Sequence, residues 1–454
     1  MENTIEKIAS APAVALDKSV DISKNFIGKT KEKFRYEKAK EYWHILGPGL
    51  TTGAADDDPS GIGTYSQTGA QYGYQLLWLA LFTFPLMAII QEMCARIGLV
   101  TGKGLAGNIK HHFPRWTLYL CTILLLFANT FNIGADLGAM AKATQLLLPR
   151  SSYILLVILF AILSLGFQIF VSYKRYSKFL KYLALVLIAY IFSALSIKLD
   201  WMQILSHSIV PSIKFSKDQF VLICAILGTT ISPYLFFWQT SQEIEEEILQ
   251  GKTTLASRKG MDKKSLTNMR VDVWSGMFLS NLVMFFIILA CAATLFSHGI
   301  TNIATASDAA LALKPIAGNG AFLLFALGII GTGMLAVPVL AGSASYAMSE
   351  AFEWDHGLFR TLKQASAFYG IIIFSMIVGF LINYIGIDPI KALIYSAVAN
   401  GLVAPVILVL IVLMSSNKKI MGEWTNHIGI KIIGWGITIA MVVSGIFAVL
   451  SLIS

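Results

Sequence analysis

The chain of 454 residues is 56% hydrophobic and 13% charged, with a mean hydropathy of +0.68. A soluble globular chain carries about 25% charge, so an ordinary cytosolic enzyme, a disordered regulator and a secreted disulfide scaffold are excluded and a polytopic membrane protein is left. The net charge of +9 has two readings, a nucleic-acid partner or Lys and Arg gathered on one side of a bilayer, and their positions separate the two.

Residues 1–42 are polar and carry nine Lys and Arg. They lack the apolar core of a signal peptide and read as a basic cytoplasmic tail, with a short amphipathic helix near Ile27–Tyr42. Residues 43–453 read as a transmembrane domain. A crossing helix needs about 20 apolar residues to traverse about 30 Å. Eleven stretches qualify: 45–70, 75–100, 116–147, 152–171, 179–197, 218–242, 272–296, 319–347, 366–384, 389–414 and 431–453. With the N-terminus inside, 27 basic residues fall on inner segments. Six fall outside (Arg150, Lys198, Lys214, Lys217, Lys314 and Lys391), and Lys142 and Lys431 sit within or at the ends of spans. This bias predicts a multi-pass protein of the cell membrane, N-terminus cytoplasmic and C-terminus extracytoplasmic. The basic balance is then topological: the lipid bilayer is the expected partner and nucleic acid is not. Cys94, Cys121, Cys224 and Cys291 lie in apolar stretches without metal or disulfide spacing and read as packing residues.

Span 1 runs Gly47-Pro48-Gly49-Leu50-Thr51-Thr52-Gly53-Ala54-Ala55-Asp56-Asp57-Asp58-Pro59-Ser60-Gly61. A charge at the bilayer centre costs at least about 2.5–3.5 kcal/mol on the insertion scale, and three adjacent carboxylates have no structural necessity. Pro59 with Gly61 favours a break, and a broken helix exposes the carbonyls and helix ends that transporters use as ion sites. Span 6 also carries a proline in mid-span, Pro233, beside Thr229, Thr230 and Ser232. Taken alone, that pattern equally fits a kink capped by hydroxyls. Two interruptions five spans apart predict inverted repeats, 45–197 and 218–414, with 431–453 appended and a site at their interface.

These residues carry a resemblance. Gly47-Pro48-Gly49, Asp58-Pro59, Gly69-Ala70, Gly73-Tyr74, Leu76-Leu77-Trp78, Ala95-Arg96-Ile97-Gly98 and Val100-Thr101-Gly102 resemble the first two helices of the NRAMP divalent metal transporters. Gly228-Thr229-Thr230-Ile231-Ser232-Pro233 resembles that family's sixth helix, Gly331 with Leu340-Ala341-Gly342 its eighth, and Met421-Gly422-Glu423 its tenth-to-eleventh loop. The resemblance implies an all-α, LeuT-type fold with helices 1 and 6 broken, and transport of divalent metal ions by alternating access. No enzymatic activity and no resident cofactor are implied, and the sequence shows neither HExxH nor a nucleophile elbow.

The departures from the family pattern bear on the cargo. Its Asp-Pro-Gly-Asn becomes Asp58-Pro59-Ser60-Gly61, and its Met-Pro-His becomes Ser232-Pro233-Tyr234. A later His becomes Gln239, and two acids linked to proton transfer align with Asn132 and Ala135, with Asp136 one place along. A thioether suits soft or borderline metals, while oxygen suits Mg²⁺, Ca²⁺ and Mn²⁺. The remaining donors are all oxygen: Asp58, carried over from the family motif; the Thr229 carbonyl; Ser232 and Tyr234; Asp57; and Asn400 on span 10. Asp56, Asp136 and Gln239 are secondary or coupling candidates. The pattern is similar to the NRAMP-related branch that carries magnesium. The expected activity is transport of Mg²⁺, with Mn²⁺, without proton coupling. Its rivals are a proton-coupled Mn²⁺/Fe²⁺ importer and an organic-solute symporter of the same fold. The latter holds a substrate carboxylate at span 1, where three Asp residues would repel it.

Two further expectations concern the inner side. Glu92 and Arg96, four apart on span 2, read as an ion pair. The run Glu243, Glu245, Glu246 and Glu247 reads as a solvated helix end or, more pointedly, an ion-attracting vestibule.

Overall fold

The computed structural model describes residues 37–453 apart from 39, 196, 198, 214–215, 302, 304–305 and 385–388. Most of the helix expected near Ile27–Tyr42 lies outside the described residues; residues 40–45 are helical. Among the described residues every regular element is a helix.

Span 1 is two helices, α1 (Pro48–Asp56) and α2 (Pro59–Tyr72). Then follow α3 (Trp78–Thr101), the short α4 (Leu105–His112), α5 (Arg115–Leu147) and α6 (Tyr153–Phe170). Span 5 starts earlier than its hydropathy predicts, at α7 (Tyr173–Leu183), and passes through a 3₁₀ turn, Ala184–Leu187, into α8 (Ile188–Leu195). A short connection then holds α9 (Trp201–Ile209). Span 6 is α10 (Lys217–Thr230) and α11 (Pro233–Leu249). The remaining spans are α12 (Lys263–Thr294), α13 (Ala306–Phe352), α14 (Ser366–Ile382), α15 (Pro389–Ser415) and α16 (Ile428–Ile453). Among the described residues eight helices are long and apolar enough to cross a membrane, with α10 and α11 counted as one, and α14 is a shorter apolar helix. The interrupted spans 1 and 5 complete the eleven.

The two mid-span breaks share one backbone pattern. Asp57 (φ −83°, ψ 47°) and Asp58 (φ −65°, ψ 169°) precede Pro59. Ile231 (φ −114°, ψ 57°) and Ser232 (φ −82°, ψ 136°) precede Pro233. In each, an extended residue is followed by a proline at the first helical position, where its missing N–H is no loss.

The unbroken α12 runs alongside both halves of span 1. A Cβ on Gly49 would lie 2.5 Å from the Val273 nitrogen, one on Gly53 2.3 Å from the Gly276 carbonyl oxygen, and one on Gly69 2.4 Å from the Ile288 carbonyl oxygen. Only glycine permits backbones this close. The same helix caps α1. Gly47 offers no side chain, and the Asp272 carboxylate accepts from the backbone N–H of Gly47 (2.7 Å), Gly49 (2.7 Å) and Leu50 (3.0 Å). Three donors that the first turn leaves unpaired are thereby satisfied.

The expected Glu92–Arg96 pair does not form. Glu92 accepts from Arg270 Nε (2.9 Å) and Trp274 Nε1 (3.0 Å) on α12, and Arg96 donates to Asn426. A partner brought over by another span displaces the neighbour one turn away. Nor is the glutamate run a solvated end. Glu243, Glu245 and Glu247 are buried. Glu245 accepts from the Tyr346 hydroxyl and from the N–H groups of Leu358 (2.7 Å) and Phe359 (3.2 Å), while Glu247 pairs with Lys252 (2.8 Å).

Candidate metal site

The first break ends α1 with free carbonyls and begins α2 with free N–H groups. Asp58 caps α2: its Oδ1 accepts from Gly61 N at 2.6 Å. Its Oδ2 accepts from Asn132 Nδ2 of α5 at 2.7 Å. The Asn132 oxygen in turn accepts from the Ser396 hydroxyl of α15. A line of polar groups thus crosses from α15 through α5 to the break. At the other end of the break, the Ala55 carbonyl accepts from the Tyr234 hydroxyl at 2.8 Å, which ties the start of α11 to the end of α1.

Asp56, Asp57 and Asp58 are all buried. Asp56 Oδ2 accepts from Ser280 of α12 at 2.6 Å, and its other oxygen has no partner. Asp57 has no hydrogen bond of normal geometry at either oxygen. Asp136 lies one turn beyond Asn132 on α5, with Asp58 and the Ser60 backbone as its electrostatic neighbours. It is buried, and neither oxygen makes a hydrogen bond of normal geometry. Among the described residues with side-chain exposure, Arg96 is the one buried base, and its partner is Asn426. The seven histidines are exposed or half-buried. Buried carboxylates without a base are matched by protons or cations.

At the second break, Ser232 Oγ donates to the carbonyls of Gly228 (2.5 Å) and Thr229 (2.9 Å). The predicted Thr229 carbonyl is therefore already engaged. Gln239 donates to Glu243 at 2.8 Å and leaves its own oxygen unpaired; it belongs to the polar run of α11. Asn400 is buried one turn beyond Ser396, with its Oδ1 unpaired. Neither Gln239 nor Asn400 hydrogen-bonds to the carboxylates of the break.

The fold therefore gathers Asp56, Asp57, Asp58, Asp136 and Tyr234 around one interruption. Among the described residues no three His, Cys, Asp or Glu side chains converge as a ready metal cage. An ion that keeps several waters and binds through one or two carboxylates needs no such cage. Sequence reasoning missed the roles of Ser280, Ser396 and Asn132. Their signal is a polar side chain in an apolar span, and in the sequence Asn132 reads only as the place of a lost acid.

The family described as natural resistance-associated macrophage protein-like matches residues 49–451. The chain belongs to the NRAMP family. It is 26% identical over 406 residues to the divalent metal cation transporter MntH of Klebsiella pneumoniae subsp. pneumoniae, covering 88% of this chain and 92% of that one. In structure it is similar to a manganese transporter of Eremococcus coleocola crystallised with an aromatic bis-isothiourea substituted compound. That likeness has a TM-score of 0.71 at 18% identity and covers 89% of this chain and 86% of that one. It is also similar to Mhp1, a nucleobase-cation-symport-1 family transporter, with a TM-score of 0.53 at 14% identity over 90% of each chain. The fold of this NRAMP chain is LeuT-type, and the chain is a multi-pass divalent metal cation transporter.

Proposed function

We propose that this NRAMP protein carries Mg²⁺, with Mn²⁺ as a second cargo, down its electrochemical gradient and without proton coupling. The observation that carries this reading is the neutral Asn132 amide on Asp58, in surroundings whose donors are all oxygen. Asp58 and Asp57 supply charge. The Thr229 carbonyl, the Ser232 and Tyr234 hydroxyls and the Asn400 amide supply neutral oxygens. The Thr229, Ser232 and Tyr234 groups are hydrogen-bonded here, so a hydrated ion that meets them through water is favoured over a stripped one. The residues proposed to hold the ion include no thioether to favour a softer metal. With the N-terminus cytoplasmic, a negative interior supplies about 4.6 kcal/mol per divalent ion at 100 mV, enough to drive uptake without protons.

A second reading, proton-coupled Mn²⁺ or Fe²⁺ import, rests on Asp136, a buried acid with no partner beside Asp58. Uptake into proteoliposomes under an imposed potential separates the two. The first reading expects Mg²⁺ uptake, competition of Mg²⁺ with Mn²⁺, and no acidification reported by a lumenal dye. Metal-dependent acidification that disappears in Asp136→Asn supports the second. Mn²⁺ uptake indifferent to excess Mg²⁺ rejects Mg²⁺ as cargo.

A further inference from the structure

A cavity of about 510 Å³ lies between α9, α3 and α12. Ala80 and Phe84 of α3, Leu205 and Ile209 of α9, and Phe278 and Phe285 of α12 help to wall it. Among the described residues that line it none is charged. Its two polar residues without a ring, Ser208 and Asn281, are engaged within the chain. Ser208 donates to the Ile204 carbonyl at 2.7 Å. Asn281 accepts from the Thr83 hydroxyl at 2.8 Å and donates to the Met277 carbonyl at 3.0 Å. A buried water needs several polar partners, and a cavity lined like this one stays dry and takes apolar guests.

α9 is tied down beside α3. The His207 ring meets that of Tyr74 at 6.2 Å, and Gln75 donates to Ser212, three residues past the helix, at 3.3 Å. At its other end the Asp200 side chain accepts from the N–H groups of Met202 (3.1 Å) and Gln203 (3.2 Å) and caps the first turn.

The surroundings of the mouth identify the guest. Leu81, Trp201, Leu205, Ile209 and Phe278, all lining residues, are each more than half exposed. α3 and α12 are long and apolar enough to cross a membrane, so their exposed apolar side chains face acyl chains. α9, nine residues long, turns apolar side chains outward in the same way, as a helix lying in the bilayer boundary does. Hydrocarbon tails therefore stand at the opening. A free fatty acid would bring a carboxylate into a cavity without a charged partner, whereas a phospholipid leaves its headgroup at the bilayer surface.

We propose that the cavity beside α9 is a lipid site that takes one acyl chain of a bilayer phospholipid. The lipid then fills the space between the connection from span 5 to span 6 and the two helices it leans on, α3 and α12.

The test uses the full-length protein in vesicles of phosphatidylcholine that carries a photoreactive diazirine in mid-chain. After irradiation, adducts are mapped by peptide mass spectrometry. They are expected on Ala80, Ile204 or Asn281, which line the cavity but are buried, so that lipid merely coating the bundle does not reach them. Ala80→Phe places a ring in the cavity and should cut these adducts about fivefold or more, while adducts on the exposed Ile446 of α16 stay unchanged. No adduct at the three positions in wild type, or adducts undiminished in Ala80→Phe, overturns the site. Labelling of the same positions by a water-soluble diazirine instead means that water fills the cavity, and overturns it equally. Cross-links to a second copy of the chain in place of lipid adducts do the same. If Ala80→Phe does not fold, Ser208→Leu, which fills the cavity from α9, is read by the same ratio.

Discussion

Asn132 donates its amide hydrogen to the Asp58 carboxylate at 2.7 Å, across 74 residues of sequence. A donor that never carries charge therefore orients the acid carried over from the family's metal-binding motif. If Asp58 is the ligand we propose, such a group tunes it through geometry, and its removal weakens binding without removing the ligand.

Asn132→Ala should therefore raise the dissociation constant for Mn²⁺ or Mg²⁺ about 10–100-fold, while Asp58→Ala should leave no measurable binding. Calorimetry on the purified protein reads both. Equal affinity in Asn132→Ala and wild type would remove Asn132 from the site.

Ser232→Met places a thioether at the second break. Soft and borderline metals should gain at the expense of hard ones. We expect Cd²⁺ to bind at least about tenfold more tightly and Mg²⁺ uptake to fall. Calorimetry with Cd²⁺ and liposome uptake of Mg²⁺ check the two halves of this outcome. The substitution also frees the carbonyls of Gly228 and Thr229, which Ser232 holds.

Asp272 is the cap of α1 from outside its own segment. Asp272→Ala leaves three N–H groups without an acceptor, and should cost about 1–3 kcal/mol. Asp272→Asn retains one acceptor oxygen and should cost less. Thermal unfolding followed by size-exclusion chromatography orders the pair. A midpoint for Asp272→Ala equal to that of wild type would show that water replaces the cap.

Two glycine substitutions should move stability in opposite directions. A Cβ on Gly53 would lie 2.3 Å from the Gly276 carbonyl oxygen, whereas one on Gly436 of α16 meets nothing within 4 Å. Gly53→Ala is overpacking against backbone, expected to cost about 1–3 kcal/mol or more. Gly436→Ala relieves the entropic cost of glycine in a helix and should gain about 0.5–1 kcal/mol. The same thermal assay reads both.

Glu245 fastens the loop after α13 to α11. Glu245→Ala leaves the N–H groups of Leu358 and Phe359 and the Tyr346 hydroxyl without their acceptor. Hydrogen exchange at the Leu358 and Phe359 amides should accelerate about tenfold or more. Unchanged exchange there would mean that the loop is held by other contacts.

The sequence announced the spans and the breaks because both depend on local composition. Hydropathy marks a crossing helix, and Pro59 and Pro233 each forbid continuation. Partners were less legible, since they come from distant segments. Glu92 finds Arg270 and Trp274 rather than Arg96 four residues away. The glutamates of α11 look like a helix end meeting water, yet Tyr346 and the backbone of a later loop enclose Glu245. Span 5 has no proline or glycine to signal the 3₁₀ turn at Ala184–Leu187. At the site, Asp56, Asp57 and Asp58 stood out as costly charges in an apolar span. Asn132, Ser280 and Ser396 are ordinary polar residues until the fold brings them to those charges.

The course of α12 limits how the break can move. This helix of 32 residues is about 48 Å long and acts as a splint across a fracture, fixed to span 1 at Gly49, Gly53 and Gly69 and gripping α1 through Asp272 and Ser280. One continuous helix thus holds span 1 on both sides of its interruption, so a single substitution along α12 is felt in both halves.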